Sequence, residues 1–248
     1  MEAWELALAL SGSFVAGYVG SMLGLVLGTL RLPLLVWLAG SPLAAAGTNI
    51  AISAASAAAG SVRHAREGRV DWRLVGWMAP PSVLGAVLGA LVADDVSERL
   101  LFAAIAAVLV WSGIDLALRP VRAREREQQR LWPAVTGGFG IGALGGAVGV
   151  ILGTLRMPTL VRGVGMDVKR AAGTNLVVGF LLGVAGFATH AGSLGVDWPL
   201  LVAGLAGAIP GGWLGAKATG SFDENVLRIA LGVALVAVGI AFAIQAAL

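Results

Sequence analysis

Apolar residues run through this chain in long blocks. Stretches at roughly 4–27, 43–60, 74–93, 99–118, 132–153, 171–189, 199–218 and 225–248 carry almost no charge, and short polar segments separate them. About 20 consecutive apolar residues cross a bilayer as a helix, so the pattern predicts an all-α, polytopic helical membrane protein.

Composition agrees. Of 248 residues, 58% are hydrophobic and 12% are charged, whereas a soluble domain carries about a quarter charged residues. The 37 glycines suit helices whose backbones approach closely within lipid. The first apolar stretch follows Glu2 and Glu5 with no basic flank, and is expected to be retained as structure rather than removed as a leader. With no cysteine, disulfides and thiolate metal sites are excluded. A formal charge of +3 raises nucleic acid as a partner. The arginines, however, sit in short segments between spans, where positive-inside placement accounts for them, so the expected environment is the lipid bilayer and not nucleic acid.

The chain is written twice. Gly28 and Gly153 are 125 residues apart, while Gly47 and Gly173, His64 and His190, and Asp71 and Asp197 are each 126 apart. Between these landmarks recur "AAGTNI" and "AAGTNL", "VDW" twice, Gly85 with Gly211, Gly89 with Gly215, and Glu98 with Glu224. The expected organisation is a first membrane repeat at 1–118, a cytoplasmic polar linker at 119–131 and a second membrane repeat at 132–248. Arginine bias puts the linker and the 61–73 loop in the cytoplasm and the loop with Asp94, Asp95 and Glu98 outside. Parallel repeats would send Arg162, Lys169 and Arg170 outside; inverted repeats keep them inside and leave the Lys/Arg-free 189–198 loop outside. Inversion fits the charge rule better. It requires an odd number of crossings per half, or a helix pair that enters and leaves on one side. Breaks are expected at Gly28–Pro33 and Gly153–Pro158, because proline lacks the amide donor and nearby glycine loosens the helix. Each half then comprises about five helical segments, the first two a broken or re-entrant pair.

Both breaks fall in the phrase "LGTLRLPLLV" at 27–36 and "LGTLRMPTLV" at 152–161, which places Arg31 and Arg156 among apolar residues. An arginine at membrane depth costs about 2.5–3.5 kcal/mol on insertion scales. Two guanidiniums at a shared cavity would bind an oxyanion with paired donors. Thr29 and Thr154 would add hydroxyls, and the helix starts would add backbone N–H groups. The alternative is that both arginines snorkel to headgroups or cap carbonyls. "GTN" at 47–49 and 173–175 makes Thr48, Asn49, Thr174 and Asn175 either helix caps or further contacts to a central ligand. His64 and His190 match across the repeat; proton coupling is one role, interfacial hydrogen bonding the commoner one. Asp71–Trp72 and Asp197–Trp198 read as a helix N-cap followed by an interfacial ring.

Catalytic and metal-binding arrangements are not expected. The chain has no HExxH, GxSxG or P-loop and no carboxylate cluster within the spans. The glycine-rich run at 137–149 lacks the strand–turn–helix setting of a dinucleotide loop and reads as close helix packing. The expectation is a protein that is not an enzyme and carries no cofactor.

A glycine-rich first helix running into "P-x-L", a short helix, "A-x-G-T-N", a span ending near His and a "V-D-W" start, all in both halves, together resemble the sulfite exporter TauE/SafE family, also grouped as toluene-sulfonate uptake permeases. In this chain Thr and Arg stand before the proline, where the family usually has small residues. The resemblance implies a secondary transporter of small sulfur-containing oxyanions, such as sulfite or organosulfonates, without ATP hydrolysis. It also implies a site between the halves, alternating access and the bacterial inner membrane, and it allows a homodimer. Two other readings stay open: a passive anion channel, and a membrane assembly subunit that transports nothing.

Overall fold

The computed structural model describes residues 2–91, 97–118, 130–148, 151–190, 195–221 and 223–247. The helices in order are α1 (Ala3–Leu23), α2 (Gly28–Ala39), α3 (Pro42–Arg66), α4 (Trp72–Leu91), α5 (Glu98–Leu118), α6 (Trp132–Val148), α7 (Gly153–Pro158), α8 (Val168–His190), α9 (Trp198–Ala218) and α10 (Glu224–Ala247). A π-helical turn at Thr159–Val164 continues α7. Asp94, Asp95 and most of the linker lie outside the described residues. Among the described helices, three are long and apolar enough to cross a membrane: Ala3–Leu23, Val168–Ala188 and Trp198–Ala218.

Local chemistry sets the ends of these elements. Gly24, at φ 71°, stops α1, and its N–H turns back to the carbonyls of Gly20 and Ser21, the left-handed cap that glycine adopts without cost. Ser41 caps α3 through its hydroxyl, with Pro42 in the first turn. Asp71 and Asp197 accept the amides of Leu74 and Leu200, each at 3.1 Å, and the rings of Trp72 and Trp198 stand exposed beside them. The Asp–Trp pairs are therefore caps and exposed rings, as their order in the sequence predicts.

Two boundaries differ from expectation. The first break lies at Gly24–Leu27, one turn before the anticipated Gly28–Pro33, and Pro33 falls inside α2. A left-handed glycine ends a helix outright, whereas a proline in the second turn removes only one bond of the ladder. In the second half, Pro158 closes α7 and the chain widens into the π turn, where Gly165 and Met166 both donate to the Leu160 carbonyl. The 61–73 loop is also shorter than predicted, because α3 continues to Arg66.

The two halves pack reciprocally. The first helix of each half lies parallel to the fourth helix of the other. Gly207, Gly211 and Gly215 of α9 face the backbone of Leu10, Phe14 and Tyr18 on α1, and Gly85 and Gly89 of α4 face Phe139 and Ala143 on α6. Matched helices pair antiparallel. On α3 and α8, Gly60 meets Leu176, Gly183 meets Ala54 and Gly186 meets Ile50; on α5 and α10, Gly113 meets Gly232 and Gly239 meets Val110. Trp4 of α1 and Trp37 of α2 are in ring contact at 5.7 Å. The chain thus turns back inside the bundle, and the end of α2 returns to the start of α1.

One end of the bundle collects the basic residues. Arg69 donates to Ala216 at the end of α9, Arg170 pairs with Asp71 at 3.3 Å, Arg162 pairs with Asp115, and Arg63 and Arg66 lie over the Trp213 ring at 5.5 and 5.2 Å.

Tight backbone contact makes the paired glycines sensitive to size. A Cβ at Gly89 or Gly215 would fall onto the carbonyl of Ala143 or Tyr18, while a Cβ at Gly76 meets nothing within 4 Å. Gly89→Val and Gly215→Val should each destabilise the detergent-solubilised protein by about 1–3 kcal/mol, and Gly76→Val by less than about 0.5 kcal/mol. Thermal unfolding followed by size exclusion checks the order; equal melting temperatures in all three would contradict the packing described.

Candidate functional site

Both halves build the same corner. The chain breaks, a short helix starts, and one turn later an arginine turns toward the "GTN" segment of the following long helix. Arg31 lies on α2 and meets α3; Arg156 lies on α7 and meets α8. Neither reaches the surface: Arg31 is 4% exposed and Arg156 1%. That departs from the snorkelling alternative, which needs the guanidinium at a headgroup.

Asparagine holds each guanidinium. Arg31 Nε and Nη2 donate to Asn49 Oδ1 at 3.1 and 2.9 Å, and Nη2 also reaches the Asn49 carbonyl at 3.1 Å and Ser53 Oγ at 2.7 Å. Arg156 Nε donates to Asn175 Oδ1 at 2.8 Å. The Asn175 amide nitrogen then donates to the Gly24 carbonyl at 2.7 Å and the Gly153 carbonyl at 2.8 Å, so one side chain ties the arginine to the breaks of both halves. These partners are amides, carbonyls and a hydroxyl, with no carboxylate among them. Such groups solvate a cation without neutralising it.

The threonines divide into two sets. Thr48 Oγ1 accepts the Asp197 amide and Thr174 Oγ1 accepts the Asp71 amide, each at 3.0 Å. Each therefore anchors the cap before the fourth helix of the other half, a joint between repeats. Thr29 and Thr154 are buried on the short helices, and Thr154 Oγ1 has no hydrogen-bond partner. His64 is fully buried rather than interfacial: its Nε2 donates to the Ser21 carbonyl at 3.2 Å and its Nδ1 is without a partner. His190 ends α8, and its side chain lies outside the described residues.

Between the breaks lies a dry cluster of Val26, Ala57 and Leu176, with Ile151 and Phe180 packed on it. Val26 and Ile151 are the matched tips of the two breaks. Reading the sequence for identities between repeats missed Val26, Ser53 and Gly179. The available signal was a difference: four residues after the asparagine, "AAGTN" leads to serine in the first repeat and glycine in the second.

Among the described residues, no group of three or more His, Cys, Asp or Glu side chains is placed to hold a metal ion. The architecture is all-helical, with helices long and apolar enough to cross a membrane, breaks before α2 and α7, and two buried arginines. The sequence matches the sulfite exporter TauE/SafE family over residues 9–242, and the chain belongs to that family. A "Probable membrane transporter protein" of Xylella fastidiosa (strain 9a5c) is 28% identical over 245 residues, covering 90% of each chain. The "Probable membrane transporter protein YdhB" of Bacillus subtilis (strain 168) is 26% identical over 193 residues, covering 75% of this chain and 79% of its own. No solved structure matches the chain. The family and these relatives put the protein among membrane transporters, not enzymes.

The two asparagines carry unequal loads. Asn175→Ala strips Arg156 Nε and two buried carbonyls of their partner and should cost about 3–5 kcal/mol. Asn49→Ala leaves Arg31 its contacts to Ser53 and the residue 49 carbonyl and should cost about 1–3 kcal/mol. Thermal unfolding in detergent ranks them, and an Asn49 variant less stable than the Asn175 variant would refute this assignment.

Proposed function

We propose that the protein is a secondary transporter of small sulfur-containing oxyanions, such as sulfite or organosulfonates, working by alternating access. Its anion site lies where the breaks of the two repeats meet, bordered by Arg31 and Arg156. The observation that carries this reading is the pair of buried guanidiniums at matched positions, solvated by Asn49 and Asn175 and lacking any carboxylate partner. Keeping two unneutralised cations at membrane depth is expensive unless an anion visits them. Guanidinium donors match the oxygens of sulfite and sulfonate. In this reading Thr48 and Thr174 serve as joints between the repeats, and His64 is the group at hand for proton coupling.

The repeats are inverted in this proposal. The antiparallel pairing of α3 with α8 and of α5 with α10, together with the parallel α1–α9 and α4–α6 pairs, supports it: matched helices run in opposite directions when a two-fold axis lies in the membrane plane. The basic end then faces the cytoplasm across a bacterial inner membrane. A carrier is favoured over an open channel because Val26 and Ile151, one from each break, pack in a single apolar cluster with Ala57 and Leu176, which would have to part for an ion to pass between them.

Two measurements test this. In proteoliposomes, sulfite uptake should fall at least about tenfold in Arg156→Ala and in Arg31→Ala, each having lost a charge-assisted contact or its scaffold. Wild-type liposomes that move no sulfite or sulfonate would favour the assembly-subunit reading, and unitary currents would favour the channel. For topology, single cysteines replacing Arg66 and Lys169 should react only from the cytoplasmic side, and those replacing Ser97 and Gly195 only from outside. Opposite labelling of the 66 and 169 positions would overturn inversion.

A further inference from the structure

The two arginine corners share a plan but not a hydrogen-bond inventory. Arg31 Nη2 has three acceptors: Asn49 Oδ1, the Asn49 carbonyl and Ser53 Oγ. Arg156 Nη2 has none, although the residue is 1% exposed. A buried donor on a charged group is rarely left unmatched, because it loses its water without compensation. Arg156 is held through Nε alone, and its unmatched, buried Nη2 marks a place where another acceptor belongs.

Two differences produce the asymmetry. Asn49 gives Nη2 both its side-chain oxygen and its carbonyl, whereas Asn175 meets Nε alone and turns its amide nitrogen to Gly24 and Gly153. Ser53 and Gly179 are 126 residues apart and occupy the same place after the asparagine; serine adds an oxygen to Arg31 Nη2, and glycine adds nothing to Arg156. The place beside Nη2 is bare of side chain, and it widens to take an oxygen only when Val26 moves. A Cβ at Gly179 would sit 3.2 Å from Arg156 Nη2, and a Cβ at Gly153 would sit 3.4 Å from it, so the nitrogen is flanked by two positions without side chains. The gap is roofed by the other half: the same Gly179 Cβ would meet Val26 Cγ2 at 2.7 Å. Val26 belongs to the non-helical segment between α1 and α2. The gap therefore has a charged donor on one side, bare backbone on two, and the tip of the opposite break above.

Building on the transporter reading above, we propose that the anion site is lopsided. Arg156, through Nη2 beside Gly179, is the arginine that takes an oxygen of a small oxyanion, and Arg31, whose Nη2 is engaged by Asn49 and Ser53, is the positioning residue of the corner opposite. Val26 covers the bound oxygen and must withdraw to release it. A small oxyanion fits this space better than an aryl sulfonate, because the roof already lies in contact range of Gly179.

The test exchanges the two residues that differ. Sulfite affinity of the purified protein is measured by titration calorimetry for wild type, Gly179→Ser, Gly179→Ala, Ser53→Gly and Ser53→Ala. Gly179→Ser should weaken binding at least about tenfold, the worth of one charge-assisted hydrogen bond. Both Gly179 variants crowd Val26 equally, so Gly179→Ser, which gives Nη2 an oxygen, should melt above Gly179→Ala in the ligand-free protein. Both Ser53 variants should melt lower and bind sulfite within about threefold of wild type, a change too small for a lost direct contact. Unchanged affinity in Gly179→Ser, or a tenfold loss in a folded Ser53 variant, would overturn the lopsided site while leaving anion transport intact. If the Gly179 variants do not fold, the Ser53 pair decides by the same criterion. A wild-type protein that binds no sulfite, sulfate or thiosulfate would remove the transporter reading itself, and this proposal with it.

Discussion

A guanidinium inside an apolar bundle has to be solvated by protein, and much of the centre of this molecule follows from doing so twice. An arginine offers five donors and no acceptor, so each one needs a cluster of oxygens at membrane depth. Helix carbonyls are largely spent within the helix, so most of these oxygens have to come from side chains. The long helices α3 and α8 supply them through Asn49, Ser53 and Asn175, with the Asn49 carbonyl added. The breaks enter through Asn175, whose amide nitrogen is held by the Gly24 and Gly153 carbonyls. Irregular backbone in turn needs burial by protein rather than lipid, which the two halves provide for each other.

Reciprocal burial explains the glycine content. For the first helix of one half to lie on the fourth helix of the other, backbones must approach to the point where a methyl group would collide, as at Gly89 and Gly215. Lipid tails offer no hydrophobic drive for helix association, so close van der Waals contact and interhelical hydrogen bonds have to supply it. The Thr48–Asp197 and Thr174–Asp71 bonds add polar joints across the same interface.

Much of this was legible in the chain. The apolar blocks mark the helices, Asp71 and Asp197 announce their caps, and the proline-bearing phrases point to an interruption in each half. They place the first break a turn late, because a proline is visible in a sequence whereas a left-handed φ at Gly24 is not. The sequence leaves Thr48 and Thr174, like Asn49 and Asn175, as helix caps or ligand contacts, since one helix start offers all of them to the same neighbourhood. In the fold the two threonines hold the caps of the opposite half. The hydrogen bond of His64 goes to the end of α1, a contact between residues 43 positions apart that spacing alone does not reveal.

By itself the sequence determined the class of the molecule, its duplication and the residues that carry charge into the membrane, because hydropathy, spacing and composition are properties of the chain alone. Only the tertiary structure decided which oxygens each arginine meets. That depends on how α2 and α7 lean on α3 and α8, and on whether the position four residues past the asparagine offers a hydroxyl or an empty space. Two phrases nearly identical in sequence thus become one arginine whose Nη2 is engaged and one whose Nη2 has a donor to spare, since hydrogen-bond satisfaction belongs to neighbours in space and not to neighbours in the chain.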